Sequence, residues 1–401
     1  MTTIHTFFAT VPRHMEQLLA EELEAMGGED VRQTVAGVWF SGPIELGYRA
    51  CLWSRLANAV LLPLASFYAP TPEALYDGTQ QIDWSEHMDV ESTLAVTFHA
   101  AHSKVSHTQF GALKVKDAIV DQFRTALGKR PSVDVKQPDI HINVHLMRDE
   151  ATVSLDLSGD SLHRRAYRET SVEAPLKENV AAALLIRAGW PKMLESGQDL
   201  ALVDPMCGSG TLVIEAGLMA ADIAPGLLRT NFGFLAWLDH DAALWESLLD
   251  EARERRTKGL EHMPKLVGYD REGGAIRASR TNVARAGLED FVFLEVRSIE
   301  DATAPKDFSG QGLLVVNPPY GERLGRQSGV ETLHRKMGQS FLEHFDGWKA
   351  SVLTGSKELG KCIGIRATKF YTLYNGRLEC VLLNFEVSKD RAMHSGARSK
   401  K

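Results

Sequence analysis

The order of apolar and polar positions divides the chain at about residue 189. Before that point, short strand and helix patterns follow one another in no fixed order, which is typical of α+β units. After it, the apolar runs 201–203, 266–269 and 313–316 are each followed by a helical pattern. Strands that alternate with helices predict a mainly parallel, doubly wound α/β sheet.

Residues 1–65 are predicted to form a small α+β unit. We expect a helix opened by Pro12 and a second helix, and the expected strands lie at residues 4–9, 31–35 and 38–40. The second helix is expected over residues 46–60, where apolar positions recur.

Residues 66–160 are predicted to form another unit, with a strand at 94–99, a helix at 110–127 and a hairpin of two strands at 140–146 and 153–157. The hairpin alternates apolar and polar positions, so His141 and His145 lie on its polar face. No Cys or carboxylate joins these histidines at ligand spacing, and we therefore expect no metal there.

The remaining chain is predicted to comprise a linker and helix at 161–189, an α/β domain at 190–387 and a disordered basic tail at 388–401. Within the α/β domain, Asn375 and Gly376 form a two-residue hairpin signal between two apolar runs. This signal predicts an antiparallel hairpin at one edge of the parallel sheet.

The net charge of −7 counts, taken alone, against a nucleic-acid partner. The excess of acidic residues is confined to the start of the chain, because residues 1–99 hold four Lys or Arg and thirteen Asp or Glu. Residues 100–168 hold eleven basic residues against eight acidic ones. An RNA-binding surface in the middle segment is therefore compatible with the composition.

The four cysteines are scattered and form no CxxC pair, which argues against a disulfide framework and against a structural zinc site. The apolar runs are too short to cross a bilayer, and the first residues lack the pattern of a signal peptide. We expect a soluble, cytoplasmic protein with no membrane partner.

A glycine-rich turn follows the first strand of the parallel sheet, in the sequence DPMCGSGT at residues 204–211. Glycines allow a tight turn and close approach to a ligand, while the following helix offers free N–H groups. The same pattern can be a mere strand-to-helix connection, and it matches neither a P-loop nor a GxGxxG motif. The candidate cofactor-binding residues here are Asp204, Pro205, Cys207, Gly208 and Gly210. Cys207 is interpreted as a packing residue and not as a nucleophile.

Asp270 ends the next strand, where a carboxylate can hold the ribose hydroxyls of an adenosine-bearing cofactor. It lies 66 residues beyond Asp204, so an insertion at about residues 222–264, rich in aromatic residues, must separate the two.

The sequence Asn317-Pro318-Pro319-Tyr320 follows the strand at 313–316. Two consecutive prolines end the strand and fix a stiff turn. The turn is expected to leave the Asn317 side-chain oxygen and the Pro318 carbonyl as acceptors for an exocyclic amino group, with Tyr320 as a stacking surface for a base.

DPMCGSGT and NPPY, in this order, resemble class I S-adenosylmethionine-dependent methyltransferases that act on amino groups. The whole chain is similar to the RlmL-type half of bacterial 23S rRNA guanine-N2-methyltransferases. Further matching segments are LSGDSLH at 157–163, RRAYR at 164–168, APLKEN at 174–179 and NPPYGERL at 317–324.

The resemblance implies a Rossmann-like class I methyltransferase domain with an antiparallel edge hairpin, preceded by a ferredoxin-like α+β unit and a THUMP RNA-binding domain. It implies S-adenosylmethionine as the cofactor and 23S rRNA, not DNA, as the partner in rRNA processing. It also implies cofactor contacts from Pro175 and Lys177. Ser298 stands where many relatives have an adenine-contacting Asp or Asn. The basic residues assigned to RNA are Lys114, Lys116, Lys129, Arg130, Arg164, Arg165, Arg168 and Arg323.

Larger members of the family carry a second methyltransferase domain, so this chain is either a stand-alone enzyme or half of a fused one.

A tRNA guanine-N2-methyltransferase with a THUMP domain is the nearest alternative function. DNA adenine-N6 and glutamine-N5 methyltransferases share the NPPY motif, but the former needs a target-recognition domain and the latter does not need the first 160 residues. A non-catalytic ribosome-assembly factor that keeps the cofactor pocket is the alternative outside enzymes.

Overall fold

The computed structural model describes residues 3–169, 176–319, 327–376 and 378–393. Contacts divide the chain into two compact units. The first unit comprises Met1–Val11, Glu16–Leu162 and Arg229–Glu251. The second unit comprises Pro12–Met15, His163–Leu228 and Ala252–Lys401.

The first unit contains an eight-stranded sheet with helices beside it. The strands are β1 (His5–Thr10), β2 (Glu29–Thr34), β3 (Gly37–Gly42), β4 (Ala59–Tyr68), β5 (Thr93–Ala101), β6 (Ser132–Val133), β7 (Ile140–Met147) and β8 (Glu150–Asp156). The helices are α1 (Glu16–Ala25), α2 (Ile44–Trp53), α3 (Pro72–Gln80) and α4 (Thr108–Leu127). The strand order is β2-β3-β1-β4-β8-β7-β5-β6.

The second helix is shorter than the predicted 46–60, because it ends at Trp53 and strand β4 begins at Ala59. Helix α2 ends at Trp53 because Ser54 adopts an extended backbone. The residues that follow from Ala59 form β4, which pairs with β1 on one side and with β8 on the other. The boundary predicted between residues 65 and 66 therefore falls inside a strand, and one sheet contains strands from both predicted N-terminal units.

The second unit contains a seven-stranded sheet in the order β11-β10-β9-β12-β13-β15-β14. Its strands are β9 (Leu200–Asp204), β10 (Lys265–Asp270), β11 (Val292–Val296), β12 (Gln311–Val316), β13 (Lys349–Thr354), β14 (Lys369–Asn375) and β15 (Leu378–Glu386). The helices numbered after α4 are α5 (Glu178–Ala188), α6 (Trp190–Leu194), α7 (Thr211–Ala220), α8 (Ala242–Gly259), α9 (Gly273–Arg285), α10 (Gln327–His344) and α11 (Lys357–Lys361).

Five strands of this sheet are parallel, and β15 runs antiparallel to both β13 and β14. The predicted doubly wound α/β fold with an antiparallel edge hairpin is thereby confirmed. Apolar side chains from the central strands, such as Val203, Val267 and Leu314, are buried together with Met337 and Phe341 of α10. This core fixes the strand ends from which the site is built.

The predicted aromatic insertion contributes residues 229–251 to the first unit. The Arg229 guanidinium donates to the backbone carbonyls of Ser158, Asp160 and Ser161. The Phe234 ring stacks on Tyr48, with ring centroids 4.2 Å apart. Burial of these aromatic rings explains why this segment packs with the first unit although its sequence position lies within the predicted α/β domain.

The chain remains ordered beyond residue 387. Lys389–Arg391 form a 3-10 turn, Ala392 pairs with Ile365, and the Met393 N–H donates to the Gly364 carbonyl. The prediction of disorder from residue 388 is therefore wrong for residues 388–393, and residues 394–401 lie outside the described part of the chain. Among the described residues, no helix is both long enough and apolar enough to span a membrane.

Candidate active site

A cleft of about 470 Å³ opens where the carboxyl ends of β9, β10 and β12 meet in the second unit. Strand order reverses between β9 and β12, and doubly wound sheets bind ligands at such a point. Residues from the three strand ends line the cleft, together with residues of α10 and of the hairpin between β14 and β15. The strand-end residues are Asp204, Pro205, Met206, Cys207, Gly208, Ser209, Asp270, Arg271, Glu272, Asn317, Pro318 and Pro319.

The glycine turn connects β9 to α7 through two glycines with left-handed backbones. Gly208 has φ +55° and lines the cleft, whereas Gly210 has φ +87° and faces Ser279. A Cβ on Gly210 would clash with the Ser279 hydroxyl oxygen, so the close packing of the turn requires glycine at this position. The cofactor contact expected of Gly210 stays a prediction.

Asp270 accepts a backbone hydrogen bond on each carboxylate oxygen, and one of the two comes from the glycine turn. Oδ2 accepts a hydrogen bond from the Gly208 N–H at 3.0 Å, and Oδ1 accepts one from the Glu272 N–H at 2.9 Å. A carboxylate has about four acceptor positions. These two bonds therefore leave Asp270 with capacity to accept hydroxyl donors from a ligand in the cleft.

Asp204 and Cys207 are buried at the floor of the cleft. Burial raises the pKa of Asp204 well above its usual range, and the negative charge of Asp270 adds to this, although the Met206 N–H donates to Asp204 Oδ1. Burial likewise raises the pKa of the Cys207 thiol, with Asp204 and Asp270 contributing. A thiol in this state is a poor nucleophile, in keeping with the interpretation of Cys207 as a packing residue.

Asn317 stands at the end of β12 with its side-chain oxygen buried. Among the described residues, Oδ1 of Asn317 has no hydrogen-bond partner. A buried polar atom without a partner costs about 1–3 kcal/mol. Pro318 and Pro319 also line the cleft and bring no backbone N–H that could satisfy this acceptor. The expected stacking residue Tyr320 lies outside the described residues.

Two further predicted cofactor residues, Ser298 and Lys177, adjoin residues that line the cleft. Ser298 donates its hydroxyl to Asp301 Oδ2 at 2.7 Å, and its neighbours Ile299 and Glu300 line the cleft. Lys177 directly precedes α5, and its N–H donates to Oδ1 of the cleft residue Asn375 at 3.5 Å. The cofactor contacts of Ser298 and Lys177 stay predictions, and Pro175 lies outside the described residues.

Two of the arginines assigned to RNA are held inside the second unit. Arg165 is only 1% exposed, and its Nε lies 3.6 Å from Oε1 of the buried Glu215. Arg168 is largely buried and donates to Glu178, Ser209, Thr211 and the Leu176 carbonyl. The Arg165 guanidinium is buried away from solvent, which contradicts its predicted RNA contact. Arg168 is bound to four acceptors within the second unit, and its RNA contact stays a prediction.

The other basic candidates remain on the surface. Lys114 lies over the Phe110 ring at 5.8 Å, and Lys116 pairs with Asp117. Lys129 is exposed, 3.4 Å from Glu91, and Arg130 and Arg164 are exposed as well. Their contacts with RNA stay predictions, and Arg323 lies outside the described residues.

Several residues that line the cleft are not among the site residues predicted from the sequence. Ser209 and Thr211 lie within the motif DPMCGSGT, whereas Lys336 of α10 belongs to no motif. The sequence around Asn375 predicts only a turn, but the hairpin places this residue at the cleft. Within the described ranges, no group of three or more His, Cys, Asp or Glu residues could hold a metal ion.

Three family profiles match the chain. The profile described as RMKL-like, methyltransferase domain covers residues 165–384, the THUMP domain covers residues 69–156, and the RlmL ferredoxin-like domain covers residues 6–61. The first of these contains all the strand ends that form the cleft.

Curated relatives include proteins named ribosomal RNA large subunit methyltransferase K/L. The one from Syntrophotalea carbinolica is 54% identical over 96% of this chain and 54% of its own length, and the one from Methylococcus capsulatus is 53% identical over 98% and 52%. The chain spans about half the length of the curated relatives that it matches.

Solved structures with the same fold include a putative methyltransferase complexed with SAH, at a TM-score of 0.84 and 31% identity over 97% of this chain and all of that one. A predicted N6-adenine-specific DNA methylase from Listeria monocytogenes matches at a TM-score of 0.83 and 28% identity, covering 96% of both chains.

Proposed function

Because the chain belongs to the RMKL-like methyltransferase domain family, we propose that it transfers a methyl group from S-adenosylmethionine to the exocyclic N2 amino group of a guanosine in 23S rRNA. The observation that carries this proposal is the buried Oδ1 of Asn317 in the cleft, which has no hydrogen-bond partner among the residues that the structure describes. A buried acceptor of this kind is suited to a ligand that donates a hydrogen bond.

The residues of the cleft fit the proposed cofactor. Asp270 can accept the ribose hydroxyls, as described above, and the start of α7 favours a carboxylate through its free N–H groups and dipole. The raised pKa of Asp204 reflects an unfavourable buried charge. The positive charge of S-adenosylmethionine would offset that cost. The cofactor supplies the methyl group.

Asn317 and Pro318 would prepare the acceptor nitrogen. The amino group of guanine is a weak nucleophile because its lone pair is delocalised into the ring. Hydrogen bonds from its two hydrogens to Asn317 Oδ1 and to the Pro318 carbonyl would favour a tetrahedral nitrogen whose lone pair is directed at the methyl group. The prolines would hold both acceptors in place.

The RNA part of the proposal rests on the first unit and on the relatives. The THUMP profile covers residues 69–156, and the basic residues Lys129 and Arg130 are exposed just after α4. Structured RNA is bound mainly through phosphates and shape. The curated relatives are named for ribosomal RNA of the large subunit. Such a substrate would place the chain in the cytoplasm.

The test is incubation of the chain with methyl-labelled S-adenosylmethionine and either protein-free 23S rRNA or total tRNA. We expect label in the 23S rRNA alone. Label confined to tRNA would replace the proposed substrate with the alternative one. No transfer to either RNA, with intact cofactor binding, would favour a non-catalytic assembly factor.

A further inference from the structure

The guanidinium of Arg168 contacts three residues that line the cleft. Its Nη1 donates to Ser209 Oγ at 3.0 Å, and its Nη2 donates to Thr211 Oγ1 at 2.9 Å and to the Leu176 carbonyl at 3.1 Å. A fourth hydrogen bond joins Nε to Glu178 Oε1 at 2.7 Å. A guanidinium has five N–H donors in a rigid plane, so these four contacts fix its orientation.

Glu178 keeps this guanidinium in place from the other side. It is 3% exposed, and its Oε2 lies 3.0 Å from His163 Nδ1. Burial alone would raise the pKa of Glu178, but the contacts with His163 and Arg168 outweigh it and hold that pKa below its usual value. Glu178 is therefore ionised near neutral pH and forms a charge-assisted bond with Arg168.

The contacts with Arg168 determine how two hydroxyl groups can act. Ser209 and Thr211 each accept a hydrogen bond from the guanidinium. The one hydrogen of each hydroxyl cannot be donated back to the guanidinium, so each hydroxyl can donate to an acceptor other than Arg168. Both residues line the cleft at the start of α7, where free N–H groups favour an anion. The Ser209 backbone is also fixed, because its carbonyl accepts from Asn282 Nδ2 at 3.0 Å.

We propose that Arg168 is a positioning residue for the carboxylate of the cofactor's amino-acid moiety: it orients the hydroxyls of Ser209 and Thr211 so that both donate to that carboxylate. The inference rests on the proposed function, since it takes S-adenosylmethionine as the ligand. It assigns to Arg168 a role in the cofactor cleft in place of the RNA contact predicted from the sequence.

The experiment measures, by calorimetry on the full chain, the Kd of two ligands for the Arg168→Ala variant. One is S-adenosylhomocysteine, and the other is S-adenosyl-3-thiopropylamine, which lacks only the carboxylate. We expect the variant to bind S-adenosylhomocysteine about tenfold more weakly, and the carboxylate-free analogue within about twofold of the unaltered chain. Arg168→Lys, which keeps the charge but not the fork, should give an intermediate loss for S-adenosylhomocysteine alone.

Arg285→Ala is the matched control. Its guanidinium contacts the same chain segment, through Glu169 Oε2 at 2.8 Å and the Ala166 carbonyl at 3.2 Å, and neither of these described partners lines the cleft. Both Kd values should stay as in the unaltered chain.

Three results would overturn the inference. Equal losses for both ligands in Arg168→Ala would show a purely structural residue, and no loss for either would show no role in binding. Equal affinity of the unaltered chain for both ligands would show that the carboxylate is not recognised, while the proposed function survives. If the unaltered chain binds neither ligand, the proposed function itself fails.

Discussion

The cleft of the second unit and the basic surface of the first unit differ in how firmly their polar groups are fixed. We define the basic surface by Lys114, Lys116, Lys129 and Arg130. In the cleft, Asp204 and Asp270 are fixed by backbone N–H groups, and Asn317 keeps a buried acceptor in one place. On the basic surface, the cations are half-buried or exposed, and Lys116 and Lys129 pair with acidic neighbours. Single substitutions should therefore have large, ligand-specific effects in the cleft and small, salt-dependent effects on the surface.

The neighbouring arginines Arg164 and Arg165 of the second unit should show the largest difference between an exposed cation and a buried one. Arg165→Ala should lower the free energy of unfolding by about 3–5 kcal/mol, because it removes a buried guanidinium that lies 3.6 Å from the buried Glu215 carboxylate. Arg164→Ala, at an exposed position, should lower it by about 1 kcal/mol or less. Urea denaturation of both variants measures the difference, and similar values for the two would contradict the buried assignment.

Asn317→Ala tests the catalytic side of the comparison. Removal of one acceptor that acts on the reacting nitrogen should lower kcat by about 100- to 1,000-fold. The Kd values of S-adenosylhomocysteine and of RNA should stay near those of the unaltered chain, because Asn317 Oδ1 makes no bond within the described protein. Transfer at an unaltered rate would remove Asn317 from the chemistry.

Charge reversal of Lys129 and Arg130 tests the surface side. We expect the Lys129→Glu, Arg130→Glu double variant to bind 23S rRNA about tenfold more weakly and with a shallower dependence on salt, since two phosphate contacts are lost. Its affinity for S-adenosylhomocysteine should not change. Filter binding at fixed salt measures the RNA affinity, and an unchanged value would exclude these two residues from the RNA interface.

Asp204→Asn should change stability in the opposite direction. The folded-state pKa of Asp204 is raised, so the folded chain binds a proton that the unfolded chain releases above about pH 4. Stability is therefore lost as the pH rises from that value towards the folded pKa, and the loss is complete above it. The neutral Asn should raise the Tm at pH 7 while leaving it little changed at pH 4. A lower Tm at pH 7 would contradict this account.

The sequence predicted the parallel sheet and the strand-end motifs because both are local signals. DPMCGSGT at 204–211 and NPP at 317–319 directly follow the buried strands whose carboxyl ends meet at the cleft. Strand β4 was not predicted, because an apolar run of its length is compatible with a helix or a strand. Pairing with β1 and β8 makes it a strand, and this pairing cannot be seen in the local sequence.

Burial of charge could not be predicted in the same way. The segment RRAYR at 164–168 contains three arginines, and its charge suggests a surface. The structure directs Arg165 to Glu215 and Arg168 to Glu178, acidic partners 50 and 10 residues away in the chain. Such pairings depend on the tertiary fold, and a count of charges along a segment does not contain them.

If the cleft methylates an exocyclic amino group of guanine, the methylated nucleoside must be N2-methylguanosine. Mass spectrometry can identify this nucleoside in 23S rRNA that has been incubated with the chain and with cofactor carrying a deuterated methyl group. We expect deuterated N2-methylguanosine, and none with the Asn317→Ala variant. A deuterated methyladenosine, or a guanosine methylated on the ring, would contradict it.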